Sequence, residues 1–116
     1  MIDREKKTDL GIIKINNDVV ATLARIAACE VDGVVKVVGN FTDTVIEFIT
    51  RKQVIRGIKV EISESEVKIS MSIIVKYGTN LAEAAVKVQE KIKDAIENSI
   101  GLSVVEVDVN IQDLQP

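Results

Sequence analysis

The chain has no histidine and a single cysteine, Cys29. The lack of an imidazole excludes mechanisms that depend on a histidine base, and a single thiol excludes disulfide scaffolds and, with no histidine, most zinc sites. Aromatic residues make up only 3% of the chain, so we do not expect a binding pocket lined by aromatic rings. No apolar run approaches the roughly 18 residues that a membrane-spanning helix requires. These absences disfavour both an enzyme and a membrane-spanning protein.

Charge and size limit the remaining classes. Lysine and arginine number 15 against 18 acidic residues, and the net charge of -3 provides no overall positive field for nucleic acid. The first residues, Met1–Lys7, carry both signs of charge without an apolar core, so we expect no signal peptide and a cytoplasmic location. With 116 residues, of which 47% are apolar, the chain is expected to form one domain with an aliphatic core.

The second half of the sequence predicts a strand, a helix and a strand. Apolar residues alternate with mostly polar ones over Val67–Tyr77 and again over Val105–Ile111, which is the period of a half-buried strand. Between these segments, apolar residues recur at helical spacing, so one helical stripe can cover the dry face of both strands. The residues of this stripe are Leu81, Ala85, Val88, Ile92 and Ile96.

The first half has a similar order of elements. Val20, Leu23, Ala24 and Ala27 form one helical face, and Gly33 stands where a left-handed residue commonly ends a helix. In chain order we predict a loose arm over residues 1–9, a strand over Leu10–Ile15, a helix capped within Asn16–Asp18 that reaches about Val31, and a strand over Val34–Val38.

A hairpin completes the predicted fold. Ile58–Ile62 alternates like a strand, and the polar turn Glu64–Glu66 leads it into the long strand. We therefore predict an α+β fold, a two-layer sandwich in the order β-α-β-(short α)-β-β-α-β, with the helices on one face of a mixed sheet. The domain is expected to cover residues 10–113.

The order of short motifs resembles the alkaline shock protein family of mainly Gram-positive bacteria, over about residues 10–113. The motifs that carry the resemblance are Gly11-Ile12-Ile13-Lys14-Ile15, Val19-Val20, Ile26-Ala27, Gly33-Val34, Gly57-Ile58-Lys59-Val60, Val75-Lys76-Tyr77-Gly78, Val88-Gln89, Gly101-Leu102 and Val107-Asp108-Val109. The resemblance implies a small cytoplasmic protein linked to alkaline or cell-envelope stress, sometimes brought to the membrane by a partner. It implies no reaction, cofactor or catalytic residue.

Residues that could carry chemistry have simpler interpretations. Cys29 lies on the first predicted helix without a histidine to activate it, and we interpret it as a small helix residue. Glu61, Glu64 and Glu66 indicate a solvated acidic turn rather than a metal site. Asn80 indicates a helix cap rather than part of a phosphate loop, because no glycine-rich run surrounds it.

The best candidate for an interaction surface is the segment from Phe41 to Arg56. It holds both phenylalanines of the chain and a basic group that continues to Lys59, and Thr44 with Glu47 fits the capping box of a short helix. Its apolar face either covers the core or binds a partner, and both alternatives stay open. The candidate interaction residues are Phe41, Val45, Phe48, Ile49, Arg51, Lys52 and Arg56.

We therefore expect a non-enzymatic, stress- or cell-envelope-associated interaction protein that binds a protein partner or a second copy of itself, without a cofactor. The alternative is a small-ligand or nucleic-acid binding domain, because two-layer sandwiches often host such sites. Nucleic acid is disfavoured, because the predicted open sheet face carries Glu106 and Asp108 rather than basic and aromatic residues.

Overall fold

The computed structural model describes residues 4–38, 54–55 and 58–116 of the chain. Within these ranges there are two helices and seven strands. In chain order they are β1 (Arg4–Thr8), β2 (Gly11–Ile15), α1 (Asn17–Cys29), β3 (Val34–Val37), β4 (Val54–Ile55), β5 (Ile58–Ser63), β6 (Glu66–Lys76), α2 (Leu81–Ile100) and β7 (Ser103–Gln115).

Strand β6 is the centre of a five-stranded mixed sheet. On one side it pairs antiparallel with β5 and, further along, with β3, while on the other side it pairs in parallel with β7. The short β4 pairs with the start of β5. The predicted α+β fold with a mixed sheet is confirmed.

Strands β3 and β5 lie in line along the same side of β6. The N–H of Val38, just after β3, donates to the carbonyl oxygen of Ser72 at 2.9 Å, and Ile58, the first residue of β5, is opposite Met71. Val38 and Ile58 therefore meet neighbouring positions of β6, although residues 39–57 separate them in the chain.

The core lies between the sheet and the two helices. Alternate residues of β6 are fully or almost fully buried on the helix side, and they pack with residues of α1, α2 and β5. The opposite face of β6 carries Lys68, Ser70, Ser72 and Lys76, which are exposed or half-buried, as predicted. The buried residues of β6 are Val67, Ile69, Met71, Ile73 and Val75.

Helix α2 covers the sheet with a stripe of residues at steps of four, namely Ala84, Val88, Ile92 and Ile96. Asn80 caps the helix as predicted, because its Oδ1 accepts the N–H of Glu83 at 3.0 Å. The prediction that Leu81 begins the buried stripe is wrong, since Leu81 is 39% exposed. Leu81 is in the first turn, before the helix has crossed onto the sheet.

Helix α1 ends at Cys29, two residues before the predicted end at Val31. The N–H groups of Glu30 and Val31 donate to the carbonyls of Ala27 and Ala28, which tightens the last turn and terminates the α-helix. At the other end Asn16 occupies the cap position, but its side chain makes no cap hydrogen bond, so the predicted side-chain cap is absent there.

The first two strands differ most from the prediction. Residues 4–8 form β1 rather than a loose arm, and β2 pairs with β1 in a separate two-stranded sheet instead of joining the sandwich. Strand β2 pairs with the residues just before it, and both sides of β6 are occupied by β3, β5 and β7. The turn is held by Thr8, whose Oγ1 accepts the N–H of Leu10 at 3.1 Å.

We expect Ile92→Ala to lower the free energy of unfolding by about 2 to 5 kcal/mol, because Ile92 is fully buried and its truncation leaves a cavity. The measurement is urea unfolding followed by circular dichroism. Glu90→Ala, on the exposed side of α2, is the control and should change the value by less than about 0.5 kcal/mol. Equal effects of the two substitutions would contradict the packing of α2.

Gly33 has the predicted positive φ, at 94°, and Gly101, which ends α2, has a positive φ of 83°. Gly101→Ala should lower the free energy of unfolding by about 1 to 2 kcal/mol, which is the penalty of the left-handed region. No steric cost is added, because the new Cβ meets no atom within 4 Å. Gly33→Ala should cost more, since its Cβ would lie 2.7 Å from Thr79 Cγ2.

A double-mutant cycle separates the two contributions at Gly33. In a Thr79→Ala background the extra cost of Gly33→Ala should fall toward that of Gly101→Ala, because the clashing Cγ2 and Oγ1 atoms are gone. Thermal and urea unfolding of the four proteins measure this coupling. Strict additivity would show that Thr79 moves aside freely.

Candidate interaction surfaces

The seven predicted interaction residues lie outside the described residues. They are Phe41, Val45, Phe48, Ile49, Arg51, Lys52 and Arg56. The predicted short helix over Phe41–Gln53 lies outside them as well, and the segment stays a prediction. Of the neighbouring basic group, Lys59 is described, and its Nζ forms an exposed ion pair with Glu61 Oε2 at 3.6 Å.

An apolar surface is present on the β1–β2 hairpin. Leu10 is 99% exposed, Ile12 58% and Ile13 52%. Because neighbouring residues of a strand point to opposite faces, Ile12 and Ile13 expose aliphatic side chains on both faces of the hairpin. An isolated two-stranded hairpin is only marginally stable in water. We refer to Leu10, Ile12 and Ile13 as the hairpin surface.

The pattern of Leu10–Ile15 predicted a strand of the sandwich, and the hairpin surface was not predicted. One signal was present, because the adjacent pair Ile12-Ile13 breaks the alternation of a strand with one dry face. Such a pair fits a strand that is covered on both faces, whereas the structure leaves both residues half exposed. The hairpin surface is therefore available to another molecule.

A second surface is the outer edge of β7. Among the described strands β7 pairs only with β6. Over its first half, side chains of α2 satisfy outward-facing backbone groups: Gln89 Nε2 donates to the carbonyl of Val107 at 2.9 Å, and Glu97 Oε2 accepts the N–H of Val104 at 3.0 Å. These contacts protect the first half of the edge from pairing with another strand.

The open face of the sheet is polar and carries both signs of charge. Lys59, Lys68, Glu61, Glu106 and Asp108 line a shallow cleft of about 150 Å³ on it. Further along, Asn110 Nδ2 donates to Ser72 Oγ at 3.2 Å. The alternating charges provide no continuous basic strip for a phosphate backbone.

The remaining candidate residues are exposed. Cys29 is an exposed thiol at the end of α1. Glu61, Glu64 and Glu66 are exposed around the β5–β6 turn, where Glu64 has a φ of 56°. The described residues contain no group of three or more histidine, cysteine, aspartate or glutamate side chains placed to hold a metal ion. Of the helices in these ranges, neither is long and apolar enough to span a membrane.

These features define a small α+β sandwich with an aliphatic core, a polar open face and two β elements whose edges lack a described partner. The chain belongs to the alkaline shock protein 23 family, whose described function is cell envelope-related. The family match covers residues 5–116 of the chain. The resemblance found in the sequence motifs is thereby confirmed.

Relatives from Bacillus subtilis (strain 168) support the assignment. The uncharacterized protein YqhY is 33% identical over 108 residues, covering 93% of this chain and 80% of the relative. The uncharacterized protein YloU is 34% identical over 110 residues, covering 93% of this chain and 92% of the relative. Neither name supplies a reaction or a ligand.

Solved structures share the fold at much lower identity. The structure of MamM-CTD has a TM-score of 0.52 and 15% identity, covering 84% of this chain and 98% of that chain. A nickel form of the same domain gives the same score, with 84% and 99% coverage. At this identity the likeness shows the fold alone. The described residues of this chain contain no cluster of side chains that could hold a metal ion as in the nickel form.

The carboxylate of Glu97 makes one of the contacts between α2 and β7, with the N–H of Val104. Hydrogen bonds from the Lys93 side chain and from the Val104 backbone stabilise the carboxylate and lower the pKa of Glu97 below its ordinary value. A carboxyl whose pKa is lowered by folding stabilises the fold above its unfolded pKa, and this contribution is lost as the pH falls through the folded value.

We therefore expect Glu97→Gln to destabilise the protein most near neutral pH, with the difference from the wild type shrinking below about pH 4. Urea unfolding across this pH range measures the effect. Glu90→Gln, on an exposed residue of the same helix, is the control. If the loss in Glu97→Gln is the same at every pH, the charge of Glu97 is not what joins α2 to β7.

Proposed function

We propose that this chain is a non-enzymatic, stress- or cell-envelope-associated protein that works by binding another protein through the hairpin surface. The observation that carries the proposal is the exposure of Leu10, Ile12 and Ile13 on a hairpin that makes its own two-stranded sheet. Apolar surface on both faces of so small an element is stabilised when a partner covers it. The cell envelope-related function of the family gives the setting.

The composition of the chain supports a role without catalysis. No histidine is present to act as a base, and Cys29 is an isolated, exposed thiol. The open sheet face interleaves Lys59 and Lys68 with acidic residues, which supports neither a nucleic-acid surface nor a charged-ligand site. Binding through the hairpin surface is therefore the function that the geometry favours.

The test is recovery of the protein with the cell envelope. Expressed in Bacillus subtilis, the wild-type chain should sediment with the envelope fraction, and Ile12→Lys combined with Ile13→Lys should move it to the supernatant. We expect the pellet-to-supernatant ratio to fall at least about tenfold, because two apolar contacts are replaced by charges that resist burial. Immunoblotting of the two fractions measures the ratio.

A matched control is available on α1. Val19 and Ile26 are 46% and 49% exposed, close to the exposure of Ile12 and Ile13. Val19→Lys combined with Ile26→Lys should leave the distribution unchanged, as should Cys29→Ser, provided that circular dichroism shows all variants folded. If the hairpin variant keeps its share in the pellet, or if both double variants lose it equally, the proposal is wrong.

A further inference from the structure

We propose that the partner of the hairpin surface is a second copy of this chain, in which the β1–β2 hairpin adds to the open second half of the β7 edge. This inference rests on the proposed function and names the partner. The hairpin of one copy would extend the five-stranded sheet of the next copy by β-augmentation, in which main-chain hydrogen bonds join a new strand to an exposed edge.

The second half of β7 is open where its first half is protected. The carbonyl of Val107 points outward, away from β6, and accepts a hydrogen bond from Gln89. Because backbone groups alternate sides along a strand, the N–H and carbonyl groups of Val109 and Ile111 point outward as well. No side chain of the described residues caps these two positions, while the next outward N–H, that of Leu114, bonds to Asp113 Oδ1 at 2.8 Å. The free edge is therefore centred on Val109 and Ile111.

Apolar side chains flank this free edge. Val86 lies on the same row of α2 as Gln89 and Glu97, at helical steps of three and four, but one turn nearer the helix start. It is 48% exposed, and Leu114 is 38% exposed. A strand added at this edge would cover these side chains with its own apolar residues.

The charges of the two elements favour the hairpin as the strand that binds at the β7 edge. Residues 103–116 contain Glu106, Asp108 and Asp113 and no lysine or arginine, whereas the sequence of residues 4–15 has four basic residues and two acidic ones. A symmetric pairing of β7 with β7 would bring two acidic strands together, which is unfavourable. A basic hairpin against the acidic edge gives opposite charges, and both elements lack a described partner.

The same arrangement would cover one of the two apolar faces of the hairpin. A hairpin that continues a two-layer sheet has one face on the helix side and one on the open side. Of the neighbouring residues Ile12 and Ile13, one would extend the apolar helix side toward Val86 and the other would lie on the open face.

Because the hairpin and the β7 edge are different surfaces of one chain, the contact is head-to-tail and can repeat into rings or open chains. This makes a mixing experiment decisive. Ile12→Lys with Ile13→Lys removes the hairpin surface but keeps the edge. Ile111→Pro removes an outward N–H of the edge but keeps the hairpin, and the ladder to β6 remains because that N–H faces away from it.

Size-exclusion chromatography with light scattering measures the outcome on the purified full chain. The wild type should form species larger than a dimer as concentration rises, each variant alone should be monomeric, and an equal mixture of the two variants should give a dimer and nothing larger. A wild type that stays monomeric, or a mixture that stays monomeric, would overturn the contact between the hairpin and the β7 edge.

Charge reversal provides a second test that does not depend on proline. Asp113 and Lys7 are both exposed, and Asp113→Lys or Lys7→Glu should weaken self-association about fivefold. Combining the two substitutions should restore most of the affinity. Losses that the combination does not reduce would show that opposite charge does not join the hairpin to the β7 edge.

The two proposals fail in different ways. If the hairpin variant leaves the cell envelope but the wild type is monomeric at every concentration, a different protein is the partner and only the self-association is wrong. If the wild type associates head-to-tail but the hairpin variant stays with the envelope, the envelope contact lies elsewhere on the chain.

Discussion

The alternation of side chains along β6 is the constraint on which the rest of the structure depends. Its five buried residues, from Val67 to Val75, face the helices, and each fully buried aliphatic side chain contributes about 1.5 to 3 kcal/mol. The burial of these five side chains is opposed by the entropy lost in ordering the strand, so every one of them is needed to keep β6 in place. A shift of one residue in register would turn all five toward solvent, so the pairing with β3, β5 and β7 is fixed by burial.

The parallel pairing of β6 with β7 determines the position of α2. Parallel neighbours need a crossover connection, and α2 is that connection, so it returns the chain across the helix side of the sheet. Its buried stripe covers β6, and the adjacent row with Gln89 and Glu97 reaches the outer backbone of β7. One helix thus closes the core and protects half of an edge, whereas the residue of this row one turn nearer the helix start, Val86, is apolar and cannot bond to the other half.

The sequence alone predicted the elements whose signals are local. The alternation in β6, the spacing of Val88, Ile92 and Ile96, the cap at Asn80 and the left-handed glycines are each determined within a few residues of the chain. The choice of strand partners is not local. The pattern of Leu10–Ile15 indicates a strand, but it does not indicate that this strand pairs with β1 rather than with the sandwich.

The candidate surfaces also depend on the choice of strand partners rather than on local signals in the sequence. An exposed edge is a property of the sheet order, and no feature of the β7 sequence says that only β6 lies beside it. The hairpin surface follows from where β2 finds its partner, which the apolar pair Ile12-Ile13 suggests but does not determine. The segment from Phe41 to Arg56 remains a sequence prediction.

The in-line arrangement of β3 and β5 has a consequence for how this chain tolerates change. Val38 and Ile58 lie opposite neighbouring residues of β6, so the ends of the stretch between them are fixed close together by the sheet itself. For a connection with fixed, adjacent ends, the entropic cost of closure rises only with the logarithm of its length, by about 0.6 kcal/mol per doubling. A change in the number of residues between Val38 and Val54, the start of β4, is therefore expected to cost the sandwich little.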